Sequence, residues 1–264
     1  MNRKPLAGLV AELAVCHQID VIVLVECGRE RGELLREINL RSGGGFHRAE
    51  GLNGASVIFT RFSSQFLQPA FDSSRVSISR LHLPARFPVL LAVLHLPSKL
   101  HWTADSQALE CTELGRLIAR EEAAVGHRRT ILVGDFNMNP FETGLVAAAG
   151  LNAVMSREVV SRQARTVQGR EYPFFYNPMW NHFHFGDVRS QTAGSYFYDT
   201  AEHVNYYWNM FDQVLLRPEL AASFDPNRLS ILTAAGATSL IRPNGRPDRE
   251  NCSDHLPLLF EVEF

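Results

Sequence analysis

"ILVGDFNMNPFE", residues 131–142, is a short apolar run that ends in a glycine and then sets an acid and an amide two positions apart. An apolar run of this length, bounded by glycine, reads as a strand buried on both faces. After it come Asp135 and Asn137, then a helix start with Asn139 as cap, Pro140 at the first position and Glu142 at the third. A polar pair at the mouth of a buried strand needs partners, and other strand ends supply the candidates.

Upstream, "PLAGLVAELAVCHQ" (5–18) has apolar residues at helical spacing, and "DVIVLVE" (20–26) is a β-branched strand that ends in the carboxylate of Glu26. "RERGELLREINL" (29–40) reads as a second helix, stopped by the glycines at 43–45. "ASVIFT", "RVSISRLHL" and "FPVLLAVLHL" are strands, the last ending near His95, and 103–125 is the longest helix, capped by Thr103. Downstream, "FDQVLLRP", "LSILTAA" and "LPLLFEVEF" are strands again. Residues 157–209 carry no clear period and are rich in aromatic rings, an insertion in a single domain spanning 1–264. Phe174, Phe175, Tyr176, Trp180, Tyr207 and Trp208 are candidates to stack on bases or to form the core of that insertion.

The chain has 264 residues, 45% hydrophobic and 20% charged, with a net charge of −2. That balance fits a globular α/β domain and gives no global basic field for nucleic acid. Lysine occurs only at Lys4 and Lys99, a skew toward arginine that coding bias accounts for. Cys16, Cys27, Cys111 and Cys252 lack metal-ligand spacing and read as free thiols of a reducing compartment. No stretch is apolar for long enough to cross a bilayer, and the N-terminus is amphipathic rather than signal-like, so the expected location is cytoplasmic.

Glu26, His95, Asp135, Asp212 and the "SDH" of 253–255 all fall at strand ends. Carboxylates gathered in a dry site repel one another and resist desolvation, whereas a divalent cation relieves both penalties; oxygen ligands suit magnesium. "VE" at 25–26, "GDFN" at 134–137, "FDQVLL" at 211–216 and "SDH" at 253–255 occur in the order found in the endonuclease/exonuclease/phosphatase superfamily, which the chain resembles from 20 to 264. His95, in "VLHLPS", resembles the histidine of its deoxyribonuclease and sphingomyelinase branches. The resemblance implies a four-layer αββα sandwich of two mixed sheets flanked by helices. It also implies Mg²⁺- or Mn²⁺-dependent hydrolysis of a phosphoester, with nucleic acid as the expected substrate and no membrane partner.

By the same resemblance Glu26 is a metal ligand and Asp254 supports the metal or its water shell. Asp135 orients or deprotonates the attacking water, and Asn137 donates to the phosphate. His255 sits at the phosphate, oriented by Asp212, while His95 stabilises the transition state or protonates the leaving oxygen. Whether Asp135 or His255 is the base stays open. His182 and His184 alternate in a polar loop and carry little weight as a second metal pair. Alternatives to a nuclease are a hydrolase of small phosphoesters and a binding module of the same fold that has lost catalysis. Members of the superfamily begin with a strand bearing an asparagine, whereas Asn2 stands directly before the first helix. The expectation is that an upstream strand, with an asparagine two residues before Asn2, or a partner chain, lies beside "VIVLVE".

Overall fold

A computed structural model describes residues 6–27, 31–50, 56–183 and 192–264. The chain opens with α1 (Ala7–Cys16), β1 (Val21–Leu24), α2 (Arg31–Ser42), β2 (His47–Arg48) and β3 (Val57–Thr60). Then come β4 (Leu67–Asp72), β5 (Val76–Leu81), β6 (Val89–His95), α3 (Ala104–Val125), β7 (Thr130–Asp135), α4 (Thr143–Val146) and β8 (Ala153–Val154). A hairpin, β9 (Ala164–Val167) and β10 (Arg170–Pro173), leads to β11 (Phe175–Tyr176). A ribbon, β12 (Tyr196–Phe197) with β13 (Trp208–Asn209), precedes β14 (Asp212–Leu216), β15 (Leu229–Ile231), the short pair β16 (Ala234–Ala235) and β17 (Thr238–Ser239), and β18 (Leu258–Phe260).

The elements form four layers. A seven-stranded mixed sheet, ordered β4-β5-β6-β7-β14-β11-β8, occupies the middle. One face, through Ile78, Leu90, Leu132 and Leu215, packs on Cys111, Leu114 and Ile118 of α3. Thr103 starts α3 by accepting the Ser106 N–H, and Gly126 ends it in the left-handed conformation. The other face meets β1, β3, β15 and β18 through Leu91, Val93, Ile131, Val133 and Ile58, with Leu258 and Phe260 packed against them. Outside that layer, Val10, Ala11 and Ala14 of α1 and Leu34 and Ile38 of α2 cover Ile22 and Phe59.

Within the second sheet layer the paired strands form two antiparallel pieces, β1-β3-β2 and β15-β18. One expectation needs correction. Asn139 is not a helix cap: α4 begins only at Thr143. Glu142 does reach back to the Asn139 N–H at 2.8 Å, but the Asn139 side chain is taken by the Met210 N–H and by Asn209. A tertiary partner outcompetes the local cap. In the aromatic segment, Phe175 and Tyr176 form β11 inside the main sheet, and Phe174 is buried beside them.

Between β1 and β18 lies a cavity of about 1010 Å³. It is lined by every residue from His17 to Glu26 and from Cys252 to Phe264, not by alternate ones. Side chains of a strand alternate between faces, so continuous lining means that the strand edges themselves border the slot. Asn2 and His184 lie outside the described residues. No helix among the described residues is long and apolar enough to cross a membrane.

Candidate active site

Backbone register assembles the site. His95 lies beside Asp135 across the parallel β6–β7 pair, and Asp135 beside Asp212 across the antiparallel β7–β14 pair. On the same strands Val93, Val133 and Val214 belong to the core between the sheets. Strand alternation therefore turns all three polar side chains to that face, at the rim where the core ends. Gly134 permits the close strand contact just before Asp135: its φ is +145°, and a Cβ there would lie 2.0 Å from the Leu94 carbonyl oxygen.

Asp135 is only 5% exposed. Its carboxylate accepts from the Asn137 backbone N–H at 2.8 Å and from Asn137 Nδ2 at 3.1 Å. Asn137 adopts φ +51°, and its Nδ2 also donates to the Leu96 carbonyl at 2.8 Å. Both of its amide hydrogens are thus engaged by the protein, and reaching a phosphate requires giving up one of these bonds. His95 Nε2 stands 3.3 Å from Glu26 and 3.7 Å from Asp135. Glu26 follows β1 at φ +53°, with its side chain 63% exposed.

From the far side of the slot, His255 Nδ1 pairs with Asp212 Oδ2 at 2.7 Å. Asp254, next to it, is exposed. Glu26, Asp135, Asp212, Asp254 and His255 all border the same cavity, so the structure brings every predicted site residue to one rim except His95 and Asn137, which join it through Asp135. Glu26 and Asp254 face the slot from opposite walls. Sequence reading missed Ser195 and Tyr196. Ser195 Oγ accepts the Asp212 N–H at 3.0 Å and its carbonyl accepts the Leu256 N–H at 2.8 Å, while the Tyr196 ring lies 4.7 Å from the imidazole. Tyr196 opens a two-residue strand too short to show a period, and Ser195 precedes it; only the dense tyrosines nearby mark them.

Burial, then the charges of Asp212 and Glu26, push the Asp135 carboxyl up to about 7, against the pull of His255 and the Asn137 N–H. Burial opposes charge on His255, but Asp212, through its charge and hydrogen bond, with Asp135 and Asp254, raises the imidazole to about 10. Both groups make the metal-free fold less stable as pH rises. An aspartate that ionises less readily when folded withdraws stability between its ordinary value near 4 and about 7. A histidine raised in the fold gives stability that is complete below about 6.5 and is lost toward about 10. Urea midpoints in chelator should therefore fall steadily from about pH 5 to about pH 9. A flat or rising profile contradicts this electrostatic picture.

The donor set fits a hard cation. Glu26, Asp135 and Asp212 have histidine rings as their ion-pair partners, and no Lys or Arg pairs with any of the three among the described residues. No group of three or more His, Cys, Asp and Glu side chains forms a ready cage among the described residues. Magnesium does not need one, because it binds through one or two carboxylates and completes its shell with water and phosphate oxygens. The four cysteines are free, three of them buried, and burial pushes the Cys111 thiol up to about 12, so that thiol is not poised as a soft metal ligand.

Comparison with known proteins agrees with this architecture. The profile of the Endonuclease/Exonuclease/phosphatase family matches residues 2–255. Among solved structures, D. rerio TDP2 complexed with single strand DNA product superposes with a TM-score of 0.55 at 16% identity, covering 100% of this chain and 94% of that one. An AP endonuclease from Archaeoglobus fulgidus gives 0.53 at 15% identity, covering 99% and 96%. A family protein from Bacteroides thetaiotaomicron gives 0.52 at 14%, covering 97% and 88%. At these identities the likeness is one of fold. No curated protein matches the sequence.

Proposed function

The chain belongs to the endonuclease/exonuclease/phosphatase family, and from that premise we propose that it is a Mg²⁺- or Mn²⁺-dependent phosphodiester hydrolase, a nuclease acting on DNA or RNA. The observation that carries the reading is the in-register row His95, Asp135, Asp212, with His255 held by Asp212 at its end. Raised to about 10, His255 is an imidazolium at neutral pH, suited to hold a phosphate oxygen rather than to take a proton. Asp135, raised to about 7, is suited to accept the proton of an attacking water near neutrality. The base left open by the sequence is assigned on this ground to Asp135. His95, between Glu26 and Asp135, is placed to meet charge on the leaving oxygen. Glu26, with Asp254 across the slot, would hold the cation, which when bound supplies positive charge for a phosphate oxygen.

The test is a panel of single- and double-stranded DNA, RNA and small phosphoesters, each with magnesium, manganese or chelator. Metal-dependent cleavage of nucleic acid supports the reading. Cleavage of small esters alone favours the phosphoesterase alternative, and no cleavage with retained binding favours the silent module.

The slot also fits a partner strand. Two strand edges border it, and each backbone group buried there without a partner costs on the order of 1–3 kcal/mol.

A further inference from the structure

Four of the six tyrosines fall between residues 196 and 207. Phe174, Phe175 and Tyr176 of the aromatic segment are buried. Three of the later tyrosines are not, for Tyr198 is 43% exposed, Tyr206 55% and Tyr207 50%, and Tyr198 stacks on Tyr196 beside the catalytic imidazole. Large rings left in water, grouped beside a polar site, are a binding surface rather than packing.

Their arrangement has a direction. Tyr196 is anchored at the reaction centre, since its backbone bridges to His255 and the preceding Ser195 is bonded to the Asp212 and Leu256 N–H groups. Its ring lies 5.3 Å from Phe211 at an interplanar angle of 20°, and Tyr198 continues the row at 6.3 Å and 15°. Tyr196 is thus the middle of three nearly parallel rings, and it is the one that touches the imidazole, at 4.7 Å. A cation stands at the Phe211 end: the Lys99 ammonium lies 5.4 Å from the centre of that ring and pairs with Glu142. Stacked rings bordered by a cation match the two repeating features of a polynucleotide, a flat base and a phosphate.

We propose that Tyr196, Tyr198 and Lys99 form a subsite that takes an unpaired nucleobase and its phosphate next to the scissile linkage, so that the substrate is single-stranded nucleic acid or a single-stranded end. The proposal rests on the hydrolase reading for the position of that linkage. A base inside a duplex is covered on both faces and must be unstacked and unpaired before it can lie on the row.

The experiment compares kcat/KM on a short single-stranded oligonucleotide, on its duplex, and on the same strand with base-free sugars flanking the cleaved bond. Wild type should cut the single strand fastest. Tyr198→Ala should lose roughly 5- to 150-fold on the single strand and little on the base-free strand, while Tyr198→Phe stays close to wild type. Because Tyr198 is an exposed ring, an unchanged thermal midpoint verifies that the variants fold. Equal losses on both strands, no loss on either, or a duplex cut as fast as the single strand overturns the subsite. If nothing is cut, the hydrolase reading has failed, and binding of the single strand is then compared by fluorescence anisotropy. Affinity that drops with Tyr198→Ala still supports the subsite; equal affinities overturn it.

Discussion

Asp135→Asn is expected to lower phosphodiester turnover by roughly 10²–10⁴-fold, the range lost when a positioned acid or base is removed. The fold should survive, and for a specific reason. Burial and the neighbouring carboxylates hold the Asp135 carboxyl up at about 7, so its ionised form is uphill in the folded chain. Asparagine keeps the shape without the charge, so at alkaline pH without metal its urea midpoint should equal or exceed that of the parent. Loss of rate without loss of stability is the signature sought, because a merely structural residue gives the opposite pairing. His255→Ala should fall in the same range, and the double variant should cost little more than either single change, since groups that act as one unit do not divide their contributions. Asp212→Asn should reproduce part of the His255 loss by releasing the ring that it holds at 2.7 Å. Near-parental rates for Asp135→Asn and His255→Ala would put the catalytic centre elsewhere.

Exhaustive chelation is expected to abolish turnover altogether, and magnesium or manganese to restore it. The reason lies in the charges facing the cavity: Glu26, Asp135, Asp212 and Asp254 border it, and a phosphodiester adds another negative charge. Histidine rings alone offset little of that when like charges approach in a dry site. Magnesium should also raise the urea midpoint more at about pH 9 than at about pH 5, because Asp135, on the same rim and held up at about 7, adds its negative charge to the cation's surroundings only above that value. A structural zinc is not expected, since the four cysteines are free and lack ligand spacing. Full activity after chelation would remove the metal from the mechanism, and a pH-independent effect of magnesium on stability would remove it from these carboxylates.

The parts of the site legible in the sequence are those set by strand phase. In "ILVGDFN", β-branched and apolar residues alternate between two buried faces, so the carboxylate that follows must emerge at the rim on one of them. The same logic exposed His95, Asp212 and Glu26. What stayed hidden depends on contacts distant in sequence. Asn139 has every local attribute of a cap, yet its side chain bonds residues 209 and 210. Asn137 looked free to reach a phosphate, while the fold commits both its amide hydrogens. Tyr196 opens a strand of two residues, too short for any period, and Ser195 before it is placed by accepting the Asp212 and Leu256 N–H groups. Phe175 and Tyr176 were lost among neighbouring aromatics because a two-residue strand in the sheet interior looks like any apolar pair.

Because three of the site's side chains share a face only through the pairing of β6, β7 and β14, the site has a reading frame of its own. Deleting or inserting one residue within any of these strands shifts its phase by one position. The polar side chain then turns into the layer of Leu132 and α3, and an apolar one takes its place at the rim. Loops beyond the strand ends carry no such phase and can change length without moving the row. Variation in this protein should therefore be cheap when it changes loop length and ruinous when it changes strand length, even where no substitution touches His95, Asp135 or Asp212.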